Sequence, residues 1–314
     1  MKKSRILLFL ILIVFSTLTT TEAEEKILTR RKRIINGQMA KSRDFPYMVS
    51  IQGKSQSKMS DFLFGKKGKS YCGGTIIDAK WILTAAHCFD TDKGKRPLKP
   101  KYWHIRMADE KLKPSTSEKY KGYLNYAQNK LFGSNKEQNY YHTSKIFIHP
   151  EYKEGILEND IALMKIEENI DLTKLEDASS ILLPDFMNAR GWPPENQMCV
   201  VSGWGCGKAG GSVQHHVRKA DLPIISGNTC REMYGTKSYI NLTDSKEFCA
   251  GYSNRGVSIC PGDSGGPIAC PYNGKMILAG VVSAAHKSQP ENYPGLFTRV
   301  SYYMPWIKAI IVNN

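Results

Sequence analysis

This chain is short of negative charge. Twenty-nine Asp and Glu stand against 44 Lys and Arg, a formal charge of +15 over 314 residues. Such a surplus favours acidic partners. It carries no nucleic-acid-binding motif to go with that charge, so nucleic acid is not expected as a partner. Beyond residue 15 no apolar run is long enough to cross a bilayer, which excludes a later spanning helix. Internal repeats and low-complexity linkers are also missing, so solenoids and tethered arrays are excluded. No set of metal ligands at persuasive spacing is present, and no cofactor is expected. What remains is ordinary for a folded protein: 41% hydrophobic and 23% charged, enough for one large all-β domain or two smaller ones.

The amino terminus reads as a secretory signal peptide over residues 1–23. Met1-Lys2-Lys3-Ser4-Arg5 is basic, Ile6 to Phe15 is uninterruptedly apolar, and Thr21-Glu22-Ala23 offers small residues for cleavage. That run is too short for a membrane anchor. Secretion places the eight cysteines in an oxidising compartment, where they are expected to pair. Residues 24–33 follow and end in the polybasic run Arg30-Arg31-Lys32-Arg33, directly before Ile34-Ile35-Asn36-Gly37. This segment has no cysteine to tether it once cut. Without residues 1–33, which carry eight Lys/Arg and three Asp/Glu, the charge falls to about +10.

From Ile34 onward, short runs rich in branched and aromatic residues alternate with turn clusters. Strands are predicted over 47–52, 74–78, 81–85, 145–148, 161–166, 198–203 and 276–283, a spacing that suits an antiparallel barrel or sandwich. Only the end reads as helix, over 302–312, with Pro305 placed in its first turn. Three loops look long. Residues 54–70 carry Lys54, Lys58, Lys66, Lys67 and Lys69. Residues 90–106 carry Lys93, Lys95, Arg96, Lys99, Lys101 and Arg106, and 110–144 is polar with no clear strand. Taken singly each is a solvated loop; together they form a positive rim able to steer an acidic protein or a sulfated glycan. Asn241-Leu242-Thr243 is a glycosylation sequon at Asn241.

Three motifs carry chemistry. Thr84-Ala85-Ala86-His87-Cys88 runs from a strand into a histidine. Asn159-Asp160-Ile161-Ala162-Leu163-Met164 opens an apolar strand with an aspartate. Cys260-Pro261-Gly262-Asp263-Ser264-Gly265-Gly266-Pro267 sets a serine among glycines. Alone, the last is as readily a Gly/Pro-rich surface turn. A serine is a poor nucleophile until a base takes its proton, and histidine titrates in the right range to do so. In the order His, Asp, Ser, the three motifs resemble those of the trypsin/chymotrypsin family of serine endopeptidases. That resemblance implies two six-stranded antiparallel β-barrels with a C-terminal helix, residues 34–314 forming the peptidase domain and the barrels parting near 180–197. It implies that His87 is the base, Asp160 its orienting carboxylate and Ser264 the nucleophile. The N–H groups of Gly262 and Ser264 would form the oxyanion hole. Cleavage after Arg33, in a run suited to a furin-like convertase, would free Ile34 to pair with Asp263 and activate the zymogen. Peptide and protein substrates, an activating protease and protein inhibitors are the partners this implies.

Aligned with the family, Ser258 forms the base of the primary specificity pocket, with Ala285 and Gly295 on its walls. Ser283 matches the serine that binds the buried aspartate. Trypsin-like members carry an aspartate where Ser258 stands, so an apolar P1 residue is expected, chymotrypsin-like or narrower, and Lys or Arg disfavoured. Ala284 replaces the usual tryptophan. Cys72–Cys88, Cys199–Cys270 and Cys230–Cys249 match family pairs. Cys260 lacks its usual partner, since Ser288 stands there, and Cys206 is left over. A Cys206–Cys260 bridge is the preferred reading, with two free thiols or an intermolecular link as alternatives, and it requires a Cα separation under about 7 Å. Asp109 and Glu110 lie near a calcium site of some members but lack its second acidic cluster. The rival to an enzyme is a catalytically weak homologue that presents a basic binding surface.

Overall fold

In the computed structural model the described residues are 34–35, 37–53, 70–90, 98–107, 140–172, 179–186, 191–214, 216–235, 242 and 245–314. The short strand β1 (Gln38–Met39) precedes a first closed barrel. Its strands are β2 (Met48–Gly53), β3 (Ser70–Asp78), β4 (Trp81–Thr84), β5 (Trp103–Met107), β6 (Tyr140–Ile148) and β7 (Ala162–Ile166), in the spatial order β2-β3-β4-β7-β6-β5. A second barrel contains β8 (Met198–Gly203), β9 (Arg218–Ile225), β10 (Glu247–Ala250), β11 (Pro267–Tyr272), β12 (Lys275–Ala284) and β13 (Gly295–Arg299). It closes because β8 pairs with both β11 and β9, while β1 pairs with the first two residues of β9. The pairings in both barrels are antiparallel, and closure leaves few open edges.

Period-2 patterning explains the packing. In β9, Ala220, Leu222 and Ile224 are buried, and Lys219, Asp221, Pro223 and Ile225 alternate with them outward. Ile51, Ile76, Ile82, Ile105, Leu163 and Met164 fill the first barrel, Val201, Leu222, Ile268 and Phe297 the second. Each such side chain contributes about 1.5–3 kcal/mol on burial. Helix α1 (Gly227–Tyr234) is capped by Ser226, whose Oγ accepts from the Thr229 N–H at 3.0 Å. Helix α2 (Val300–Asn313) inserts Val300, Tyr303, Met304 and Ile307 into the cluster that includes the first barrel's core, so it ties the barrels together.

Some expectations shift. β6 starts at Tyr140, inside the stretch read as strandless, and Arg106 is buried within β5 and not part of a basic rim. Helix α2 starts at Val300, so Pro305 lies beyond its first turn. Residues 1–33, the lysine-rich 54–69, 91–97, Asp109, Glu110 and Asn241 lie outside the described residues. All eight cysteines pair: Cys72–Cys88, Cys199–Cys270, Cys230–Cys249 and Cys206–Cys260, the last with a Cα separation of 5.4 Å. The two alternatives for Cys206 and Cys260 therefore fall away.

Candidate active site

Strand β4 ends at Thr84, and the chain tightens into a single 3-10 turn over Ala86–Phe89 that presents His87. The Cys72–Cys88 bridge ties this turn to β3. Asp160 enters from the other side, on the residue that leads into β7 and wholly excluded from water. A buried carboxylate is tolerable only when it is paired or hydrogen-bonded. Asp160 is both. Its Oδ2 accepts from His87 Nδ1 at 2.7 Å and from the Ser283 hydroxyl at 2.6 Å; its Oδ1 accepts from the His87 backbone N–H at 2.8 Å. With Nδ1 engaged as a donor, Nε2 is left as the nitrogen able to accept a proton. Burial alone would pull the His87 pKa down. The hydrogen bond and charge of Asp160, with help from Asp90, outweigh it and hold the pKa above the ordinary value of 6.5.

Ser264 sits on a turn that only glycines permit. Gly262 has φ +101° and Gly265 φ +76°, in the left-handed half of backbone space. A Cβ on Gly265 would lie 2.2 Å from Thr84 Oγ1, 2.6 Å from the Gly73 carbonyl oxygen and 3.1 Å from Cys88 Sγ. The serine turn is therefore docked directly onto the segment that carries His87. Gly73 reinforces the contact: its N–H donates to the Ser264 carbonyl at 2.7 Å. No hydrogen bond joins the Ser264 hydroxyl to the His87 ring, a contact that commonly tightens only when substrate binds. Within the turn Asp263 N–H donates to Cys260 O and Gly265 N–H to Val282 O, yet nothing among the described residues accepts from Gly262 N–H or Ser264 N–H. Two free donors beside a serine can hold an oxyanion.

Asp263 is buried and pairs with no cation among the described residues. It accepts from Gly205 N–H at 2.7 Å and Cys260 N–H at 2.9 Å. Burial, opposed by those two donors, pushes its carboxyl up to about 6. Arg33 lies outside the described residues, but Ile34 is buried in the second barrel's core and Ile35 bridges to Ser258.

Ser258 is buried and its hydroxyl donates to the Tyr293 carbonyl at 3.1 Å, so the side chain at this position is neutral. Ala285 is partly buried and Gly295 opens β13. Two features were not singled out in the sequence. The Ile259 side chain lies so close to Gly295 that a Cβ there would meet it at 2.7 Å. Beside Ala284, His286 stacks on Tyr293 with centroids 3.9 Å apart, and Tyr234 packs against Tyr293 at 5.1 Å. An apolar residue directly after Ser258 was the signal for the first. The aromatic ledge gave none, because its members come from three separate segments.

A family model described as Trypsin matches residues 34–307, and the chain belongs to that family of serine peptidases. Among curated relatives it is similar to Transmembrane protease serine 9 of Rattus norvegicus, at 29% identity over 276 residues. The match covers 88% of this chain and 21% of that protein, so the chain spans about a fifth of its relative's length. Among the described residues no helix is long and apolar enough to cross a membrane.

Proposed function

We propose that this protein is a secreted serine endopeptidase, made as a precursor cut after Arg33, in which His87, Asp160 and Ser264 act as a triad. Ser264 Oγ attacks the scissile carbonyl carbon as His87 Nε2 takes its proton, with Asp160 stabilising the imidazolium that forms. The oxyanion is held by Gly262 N–H and Ser264 N–H until the tetrahedral intermediate collapses. His87 then gives its proton to the departing amine, and water releases the acyl group by the same steps reversed. Cutting after Arg33 gives Ile34 an ammonium for Asp263. The observation that carries this reading is the pair of free N–H donors on a serine turn pressed onto the His87 segment.

The pocket reading is an apolar P1 residue. No carboxylate stands at Ser258 to pair a Lys or Arg, and Ile259 takes up space against Gly295. A residue of small to medium size suits such a site. Lys99 and Lys101 remain exposed on the first barrel, and an acidic protein or sulfated glycan is the proposed partner there; retention on immobilised heparin at low salt no stronger than a neutral control would remove it.

A fluorophosphonate probe tests the chemistry. The cut enzyme should label and Ser264→Ala should not; equal labelling of the two sinks the triad. A P1-diverse peptide library digested by the same pair then tests the pocket, where dominant cleavage after Arg would overturn the apolar assignment. Ile259→Ala should shift cleavage toward Phe and Tyr.

A further inference from the structure

The Cys206–Cys260 bridge takes no part in the chemistry above, yet both its cysteines abut the donors that grip Asp263. Gly205, next to Cys206, supplies one N–H to that carboxylate; Cys260 itself supplies the other. The bridge spans 54 residues of sequence and so ties together two segments that the chain alone brings close only at a cost in entropy. Further contacts run the same way. The Cys206 N–H donates to the Pro261 carbonyl at 3.1 Å, and Cys206 pairs with Val213 across a short bridge. Val213 then lies over Gly262: a Cβ on that glycine would meet Val213 Cγ1 at 2.6 Å and Gly205 Cα at 3.2 Å. Cys206, Cys260 and Ile35 form a small buried cluster of their own. Segment 204–214 thus covers the turn that carries the two free N–H groups, in a chain still continuous through Arg33–Ile34.

We propose that the Cys206–Cys260 disulfide positions the oxyanion turn in the uncut chain, by holding the Gly205 and Cys260 N–H donors on Asp263, so that cleavage after Arg33 raises activity that is already present. The cysteines are positioning residues and touch no reacting atom. The proposal rests on the peptidase reading, and the experiment separates the two.

Four chains are compared by their rate of fluorophosphonate labelling: cut enzyme and Arg33→Gln, each with and without Cys206→Ala/Cys260→Ala. Arg33→Gln with the bridge should label within about tenfold of the cut enzyme. Losing the bridge should slow Arg33→Gln roughly a hundredfold, the scale of a lost oxyanion donor, and the cut enzyme less than about fivefold, because its Ile34 ammonium holds Asp263 independently. A bridge with a merely structural role would slow both forms equally, and that result overturns the proposal. So does an Arg33→Gln chain as inert as Ser264→Ala, whether or not the double-alanine chain folds. Val213→Ala keeps the bridge and thins the cover over Gly262; it should slow Arg33→Gln more than the cut enzyme, and an equal effect on both counts against the proposal. If the cut wild-type chain itself fails to label, the peptidase reading falls and the proposal with it.

Discussion

At the scale of single residues, two titrating groups make opposite demands. In the proposed triad His87 must be neutral to accept the serine proton, and Asp160 holds its pKa above 6.5. Activity should therefore rise with pH along a limb centred above 6.5. Asp160→Asn removes the hydrogen-bonded charge, should move that limb below 6.5 and should cut kcat by about 10⁴-fold; a limb that stays in place would separate Asp160 from the histidine's titration. Asp263 behaves the other way in the uncut chain. Its folded pKa of about 6 lies above the unfolded 3.8, so the folded state holds the extra proton between those values. The stability this provides is complete below pH 3.8 and is lost as pH rises through 6. In an Arg33→Gln background, Asp263→Asn should gain stability relative to Asp263 between pH 4 and pH 7, by up to about 3 kcal/mol. Thermal or denaturant unfolding at the two pH values reads the difference, and a constant offset would contradict it.

Among the elements, the serine turn is the most constrained. Gly265 combines a positive φ with no room for a methyl group, since backbone and a buried disulfide sulfur stand within 3.1 Å of any Cβ. Gly265→Ala should cost about 2–4 kcal/mol in unfolding free energy and abolish labelling of Ser264. A variant of wild-type stability and rate would mean that the turn tolerates movement away from Thr84 and Cys88. Alone this turn read as readily as a surface loop; it and the His87 and Asp160 motifs were legible because all three, in order, resemble those of one family. Other elements were hidden for physical reasons. β9 carries Lys219, Asp221 and Pro223 on its outer face, which masks its alternation. β10 and β13 are short, and each derives its identity from the strand beside it. Ile259 reads as core until Gly295 is seen to face it, and the stack of Tyr234, Tyr293 and His286 exists only in three dimensions. Cys206 and Cys260 were legible as a pair only by elimination against family pairs; what the bridge grips was not.

For the whole molecule, the decisive feature is that the first barrel's aspartate is held by the second. Asp160 leads into β7, but Ser283 of β12 bonds its carboxylate and Thr298 of β13 donates to its carbonyl at 2.8 Å. Immediately before it, Asn159 accepts from the Tyr303 hydroxyl of α2 at 3.0 Å, and Glu158 pairs with Lys246 at 3.1 Å. The Glu158–Lys246 pair is half-buried and still reached by water, which screens it and leaves it the weakest of these. Thr298 and Tyr303 are buried, so their bonds count for more and leave an unsatisfied acceptor when removed. Loss of barrel-to-barrel register should then appear at the histidine, since Asp160 is what orients it. Thr298→Val and Tyr303→Phe preserve shape while deleting one donor each. Each should cost about 1–3 kcal/mol in stability, and the pair together should lower kcat while leaving KM close to wild type, because the proposed pocket around Ser258 and Gly295 is untouched. Lys246→Ala should cost less than about 1 kcal/mol in stability and leave kcat unchanged. A double variant that raised KM and spared kcat would mean that the barrels are held at the pocket instead, with Asp160 oriented by its own barrel alone.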